Sequence, residues 1–212
     1  RVPGTDGTYV LTVGTGVTDS DSNSPAGTTS VEVNFDLLQP TATISEITSL
    51  RNTAVGTVTI DFSERVTGFD FEPLNNPIDL QLFRDGQELT NEGEGLGEFV
   101  TLGDLDESDM SVSTLTIDLS TLTGIGGDYE LRLDGTNIVD LAGNAFNDGD
   151  GGITPGTQSV LFEMDTTSPF LTGIRRLSPA SVNGLTNDST VQFRVDFSDD
   201  ILDADADDFA LT

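Results

Sequence analysis

The sequence has no cysteine, no histidine, no tryptophan and no lysine; all eight of its basic residues are arginine. Without cysteine there is no disulfide frame, and nothing in the composition marks a redox compartment. Without His, Cys or Lys, most general bases that work near neutral pH and most activated nucleophiles are missing. Zinc sites built on thiolate and imidazole are excluded with them. Paired carboxylates remain able in principle to hydrolyse a glycoside. Such sites hold sugars on aromatic platforms, and this chain has only two Tyr and no Trp. Enzymatic activity is therefore not expected. No apolar run has the length of a membrane span or the layout of a signal peptide. The chain opens on Arg1 rather than Met, which reads as a processed or excised fragment.

Carboxylate is abundant: thirty-seven Asp and Glu against eight Arg, a formal charge of −29. Such a surface repels nucleic-acid phosphates and anionic lipid heads, so neither is an expected partner. Divalent cations are the natural counter-ions, and Asp-rich loops with free carbonyls suit hard Ca²⁺. The same charge also keeps a protein hydrated and dispersed in a saline habitat. Hydrophobic residues make up 35 % of the chain, enough for a core. Gly, Thr, Ser, Asp and Asn supply strand and turn positions.

Internal repetition is the most informative feature. Tyr9-Val10-Leu11 matches Tyr129-Glu130-Leu131, and Val17-Thr18-Asp19 with Asn23 matches Ile138-Val139-Asp140 with Asn144. Val31, Val33, Phe35, Asp36 and Pro40 match Val160, Phe162, Met164, Asp165 and Pro169. Asp61-Phe62-Ser63-Glu64 matches Asp196-Phe197-Ser198-Asp199. The offset drifts from 120 to 135 along the chain, as it does when loops vary in length and strands do not. Residues 1–38 are then the end of one unit, 39–167 a complete unit and 168–212 the start of a third, cut from a longer array.

Period-2 alternation marks the strands of the complete unit: Val58-Ile60-Phe62, Ile78-Leu80-Leu82, Leu115-Ile117-Leu119, Tyr129-Leu131-Leu133 and Val160-Phe162-Met164. Asp85-Gly86 signals a hairpin, and 104–109 a single helical turn. About seven strands, each with one apolar face, predict two packed antiparallel sheets. The fold class expected is all-β.

Four blocks carry a resemblance: Asp61-Phe62-Ser63-Glu64-Arg65-Val66, Gly127-Asp128-Tyr129-Glu130-Leu131, Val139-Asp140-Leu141-Ala142-Gly143-Asn144 and Asp165-Thr166-Thr167-Ser168-Pro169. Together they resemble the bacterial immunoglobulin-like repeats of adhesins, biofilm proteins, S-layer proteins and other large secreted proteins. The first, partial unit departs from the pattern, with Asp19-Ser20-Asp21-Ser22-Asn23 in place of the third block. The resemblance implies tandem Ig-like antiparallel β-sandwiches, one complete repeat flanked by two partial ones, outside the cell or on its surface. Tyr129 and Tyr9 fall where such sandwiches place a tyrosine corner, with the hydroxyl bonded to backbone. Isopeptide crosslinks, which stiffen some domains of this kind, need a lysine that is not there. Rigidity must come from packing, short linkers (Leu37–Pro40, Thr166–Pro169) and metal.

In an Ig-like sandwich, two of the interstrand loops lie at the pole where the preceding domain's last strand arrives. That topology gathers Asp36, Glu64, Asp70, Asp140 and Asn144 at one junction, a set of oxygens suited to Ca²⁺. Asp165, Asp199, Asp200 and Asp205 would begin the next junction, and Asp19 and Asn23 would serve the one before. Each residue also has an ordinary use. Glu64 and Asp199 fit as solvated strand-end charges, Asp140 and Asn144 as Asx-turn partners, and Asp165 as a linker cap. Asp148-Gly149-Asp150-Gly151-Gly152 looks like a calcium loop but lacks the EF-hand pattern. The expected function is a non-catalytic spacer of a surface repeat array, contacting neighbouring repeats of the same or adjacent chains and stiffened by Ca²⁺. Two alternatives stand beside it. One is an adhesin or carbohydrate-binding module that meets a cell-surface or glycan ligand through Phe69, Phe71, Phe99 or Phe146. The other is a self-assembling filament or surface-layer subunit that pairs through open strand edges.

Overall fold

The computed structural model describes residues 4–69, 79–89, 96–149, 156–179 and 184–210. The chain divides into two compact units, residues 1–166 and 167–212. The strand pairs of both are antiparallel, and in the first unit the alternating runs between Val58 and Met164 supply them.

The first unit opens with a hairpin, β1 (Gly7–Val13) against β2 (Thr29–Phe35). Two larger sheets follow. One is centred on β4 (Thr57–Thr67), flanked by β8 (Val112–Asp118) and then β7 (Val100–Leu102). Further partners of β4 are β3 (Ala42–Ile44), along its first half, and β10 (Val139–Asp140), at its end. The other sheet runs β11-β9-β5-β6, made of Thr157–Met164, Gly127–Asp134, Leu80–Arg84 and Gln87–Glu88. The alternating apolar residues of both sheets meet in one buried core: Val58, Ile60 and Leu115 from the first, Leu82, Leu131 and Phe162 from the second. The arrangement is sandwich-like. It follows from strands with one apolar face each, which must bury that face against another sheet.

Local chemistry sets the turns. Asp85 and Gly86 both adopt positive φ, 51° and 75°, the two-residue geometry that matches strand twist in a hairpin. Asp106 and Met110 close the anticipated single helical turn through Met110 N–H to the Asp106 carbonyl, 2.8 Å. The Arg65 guanidinium clamps this loop, donating to Asp104 Oδ2, the Asp104 carbonyl, Ser111 Oγ and the Ser111 carbonyl. Gly68 has φ +91°, and a Cβ there would lie 2.2 Å from the Asn137 carbonyl oxygen, so this position admits only glycine.

The second unit pairs β12 (Leu171–Ser178) with β13 (Gln192–Phe197). A 3-10 turn follows at Ala206–Asp208, capped by the Asp205 side chain. Among the described residues no helix is long and apolar enough to cross a membrane.

Three pieces of local geometry recur along the chain. In β1–β2, Tyr9 pairs with Val33 and Leu11 with Val31; in β9–β11, Tyr129 pairs with Phe162 and Leu131 with Val160, the same register. Both tyrosine hydroxyls donate to the carbonyl four residues back, Tyr9 to Thr5 at 3.0 Å and Tyr129 to Ile125 at 2.8 Å. At the start of the second unit, Phe170 and Ser198 exchange two hydrogen bonds just as Thr41 and Ser63 do in the first.

Candidate metal centre

Asp36, Glu64 and Asp140 each present a carboxylate oxygen, and these oxygens lie within 4.8 Å of one another. They come from three elements. Asp36 follows the last residue of β2, Glu64 lies in β4, and Asp140 ends β10, paired with Val66 of β4. By alternation Glu64 shares the inward parity of Phe62 and Val66. The β4–β8 register shifts between Asp61 and Val66, so the regular ladder breaks where this carboxylate would otherwise point into the core.

Asp140 is buried, and its position is fixed by its own loop. Oδ1 accepts from the Ala142 and Asn144 backbone N–H groups, each at 2.8 Å, and Oδ2 accepts from Asn144 Nδ2 at 2.7 Å. Gly143 takes positive φ inside this turn. The Asn144 amide also donates to the Asp36 carbonyl at 3.1 Å, which ties the loop to the chain leaving β2. That chain is held elsewhere too. Leu37 N–H donates to Asp6 Oδ1 at 2.7 Å, Gln39 Nε2 to the Ala145 carbonyl at 3.1 Å, and Asn147 N–H to the Pro40 carbonyl at 2.9 Å. The linker therefore has a defined course across the acidic cluster.

Electrostatically the cluster is strained. Burial raises the pKa of Glu64 above its ordinary value, and the charges of Asp36, Asp140 and Asp6 raise it further. The three ion pairs among the described residues engage Asp104, Glu130 and Asp196, not these acids. Three carboxylates from separate elements form a hard, all-oxygen donor set. It fits Ca²⁺, which takes six to eight oxygens and tolerates irregular geometry, better than it fits softer metals.

The loop at Asp19 has the same construction as that at Asp140. Asp19 Oδ1 accepts from the Asp21 and Asn23 N–H groups, and Oδ2 from Asn23 Nδ2. The side-chain and backbone bonds from Asn23 hold the Asp19 pKa below its ordinary value. Ser22 occupies the positive-φ position that Gly143 fills in the other loop. Asp165 lies just past β11, its N–H donating to the Arg51 carbonyl at 2.7 Å. Asp199, Asp200 and Asp205 belong to the second unit. Asp199 accepts from the Asp200 N–H, and Asp205 caps the 3-10 turn. Asp70 and Phe71 lie outside the described residues, as does most of the 148–152 stretch.

Asp6 was not a sequence candidate. The Gly7–Phe35 register of the hairpin places it beside Asp36, and only knowledge of that register would have singled it out. Of the loop aromatics, Phe146 is fully buried, and Phe69 and Phe99 pack against the core. These three therefore form no exposed platform for a sugar. No protein-family model, curated protein or solved structure matches the chain.

Proposed function

We propose that the chain is a non-catalytic spacer segment of an extracellular array of Ig-like repeats, in which Ca²⁺ stiffens the junction between an incoming strand pair and the next sandwich. The observation that carries this reading is the convergence of Asp36, Glu64 and Asp140 around a linker already fixed by Asn144. A bound cation would cancel the mutual repulsion of the carboxylates and hold the β2 exit against β4 and β10. The recurrence of register, tyrosine corner and Asp–Asn loop supports the repeat reading. The extracellular placement rests on the resemblance of the sequence blocks. The function is mechanical: a rigid, hydrated spacer that sets distance and direction.

The test is a calcium titration of the metal-free chain, followed by calorimetry and small-angle scattering. Calcium is expected to raise the melting temperature and narrow the distribution of shapes, and chelator to reverse both. Melting and scattering curves that coincide with and without chelator would sink the proposal.

A further inference from the structure

β11 ends its sheet, paired with β9 in unbroken register from Thr157 to Met164. In an antiparallel pair every second residue turns both its N–H and its C=O away from the partner strand. Glu163 is such a residue: its N–H donates to Ser49 Oγ at 3.2 Å, and its carbonyl accepts from the Arg51 N–H at 3.0 Å. Asp128, opposite it, likewise turns away from β11, its carbonyl accepting from the Asp85 N–H at 2.8 Å. Thr157, Ser159 and Leu161 share the parity of Glu163. Among the described residues no hydrogen bond reaches the outward N–H or C=O of Ser159 or Leu161. The segment 49–51 covers only the far end of the edge, where Arg51 bridges Met164.

This open stretch is also undefended. Thr157-Gln158-Ser159-Val160-Leu161-Phe162 has no charge, no proline and no glycine, in a chain of which 21 % is charged. Charged side chains, proline and bulges are the usual means by which an exposed edge is kept from pairing. Leu161 is 70 % exposed beside it. Its cross-strand neighbour Glu130 is neutralised by Arg132, which lies opposite Ser159, at 2.9 Å. The edge belongs to the complete sandwich. The chain enters that sandwich beside Ser63 and Asn147 and leaves it beside Gly126, at opposite ends of the strands. A repeat joined in tandem therefore attaches at the strand ends, not along this flank.

We infer that β11 pairs antiparallel with β11 of a second copy about a two-fold axis, joining two complete sandwiches through one continuous sheet. Glu163 is already engaged, so the longest self-pairing of the open positions sets Ser159 opposite its own counterpart and Thr157 opposite Leu161. Each such pair exchanges two hydrogen bonds. The same patch serves both copies, so the contact closes as a dimer. A second copy is the occupant because the open stretch is complementary to itself in hydrogen bonds and carries no charge to repel its like. Two chains of −29 repel at a distance, and this stretch is where contact costs least. The pairing involves none of Asp36, Glu64 and Asp140, and stands apart from the cation site.

Sedimentation velocity of the 212-residue chain in chelator tests this independently of calcium. The wild type is expected to show a monomer–dimer equilibrium that tightens as salt screens the repulsion. Ser159→Pro is expected to weaken it by about tenfold or more, through the two hydrogen bonds lost. That N–H faces outward, so proline removes no bond to β9. Ser159→Ala should associate as the wild type does. Leu161→Glu, at an exposed side chain, should also remain monomeric and tests the contact without altering the backbone. The chain has no cysteine, so an introduced thiol reports the register. Ser159→Cys alone is expected to crosslink on oxidation. Thr157→Cys and Leu161→Cys are expected to crosslink only when mixed, because each thiol lies roughly 14 Å from its own counterpart. A wild type that stays monomeric at every concentration and salt overturns the inference. So does a Thr157→Cys chain that crosslinks alone as readily as Ser159→Cys.

Discussion

Replacing Glu64 with Gln removes one charge from a cluster of three while keeping the shape of the side chain. Carboxylate oxygens within 4.8 Å repel by roughly 0.9 kcal/mol per pair at that separation in water-like surroundings. Physiological salt, with a Debye length of about 8 Å, removes close to half of this. Glu64 faces both Asp36 and Asp140, so the two repulsions together come to about 1 kcal/mol. In chelator the Glu64→Gln variant should therefore be more stable than the wild type, melting about 2–4 °C higher for a unit of this size. With saturating calcium the order should invert. A ligand at a hundred times its dissociation constant adds about 2.7 kcal/mol to the form that binds it, and the variant has lost a ligand. Differential scanning calorimetry of both proteins in chelator and in millimolar calcium reads the four values directly. A variant that is less stable in chelator refutes the electrostatic reading, and one that keeps the full calcium response refutes Glu64 as a ligand.

Acidity offers a second check. Because the folded-state pKa of Glu64 is raised, its contribution is most favourable below its unfolded value and is lost as pH rises through the folded one. Metal-free wild type should gain stability as pH falls from neutral towards about 4.5, a gain the Gln variant lacks. Further acidification should reverse the trend as Asp104, Asp106 and Asp118 protonate, their folded pKa values being lowered by hydrogen bonds from Ser113, Ser108 and Ser120. Tyr129→Phe should cost about 1 kcal/mol through the lost bond to Ile125, visible in denaturant midpoints, whereas Tyr9→Phe on the open hairpin should cost less. Gly68→Ala should destabilise severely, because its Cβ meets the Asn137 carbonyl. Gly143→Ala, with nothing within 4 Å of its Cβ, should cost only the roughly 1–2 kcal/mol of a left-handed residue; equal losses at the two sites would contradict the steric account.

Strands whose side chains alternate strictly were legible from the residues, because period 2 is a direct consequence of one buried face. β4, β8, β9 and β11 fall where that pattern places them. The short β7 and β10 did not show, since two or three residues carry no period and are made by their neighbours, and β6 was signalled only by the Asp85-Gly86 turn before it. β10 is nonetheless the strand that delivers Asp140. Asp140 and Asn144 were readable as a spaced pair with a local hydrogen-bonding logic, and Asp36 and Glu64 only through the expected order of strands. The Arg65 clamp on the 104–111 loop was invisible, because its four bonds reach across the sheet to residues about forty and more positions away. The same holds for Asp6, whose place depends on hairpin register rather than on any motif.

The hairpins β1–β2 and β9–β11 keep one register although their connections differ in length, from Val13 to Thr29 in one and from Asp134 to Thr157 in the other. Both connections begin with an Asp–Asn loop that closes on itself through its own hydrogen bonds. After Asn144 the chain stays tied to the sandwich, with Phe146 fully buried and Asn147 N–H on the Pro40 carbonyl, whereas residues 24–28, between Asn23 and the return strand β2, are all exposed. That segment can lengthen, shorten or change composition while the strands stay aligned. It is where new recognition surfaces could be acquired without renegotiating the fold, and where an engineer would graft a foreign loop for display.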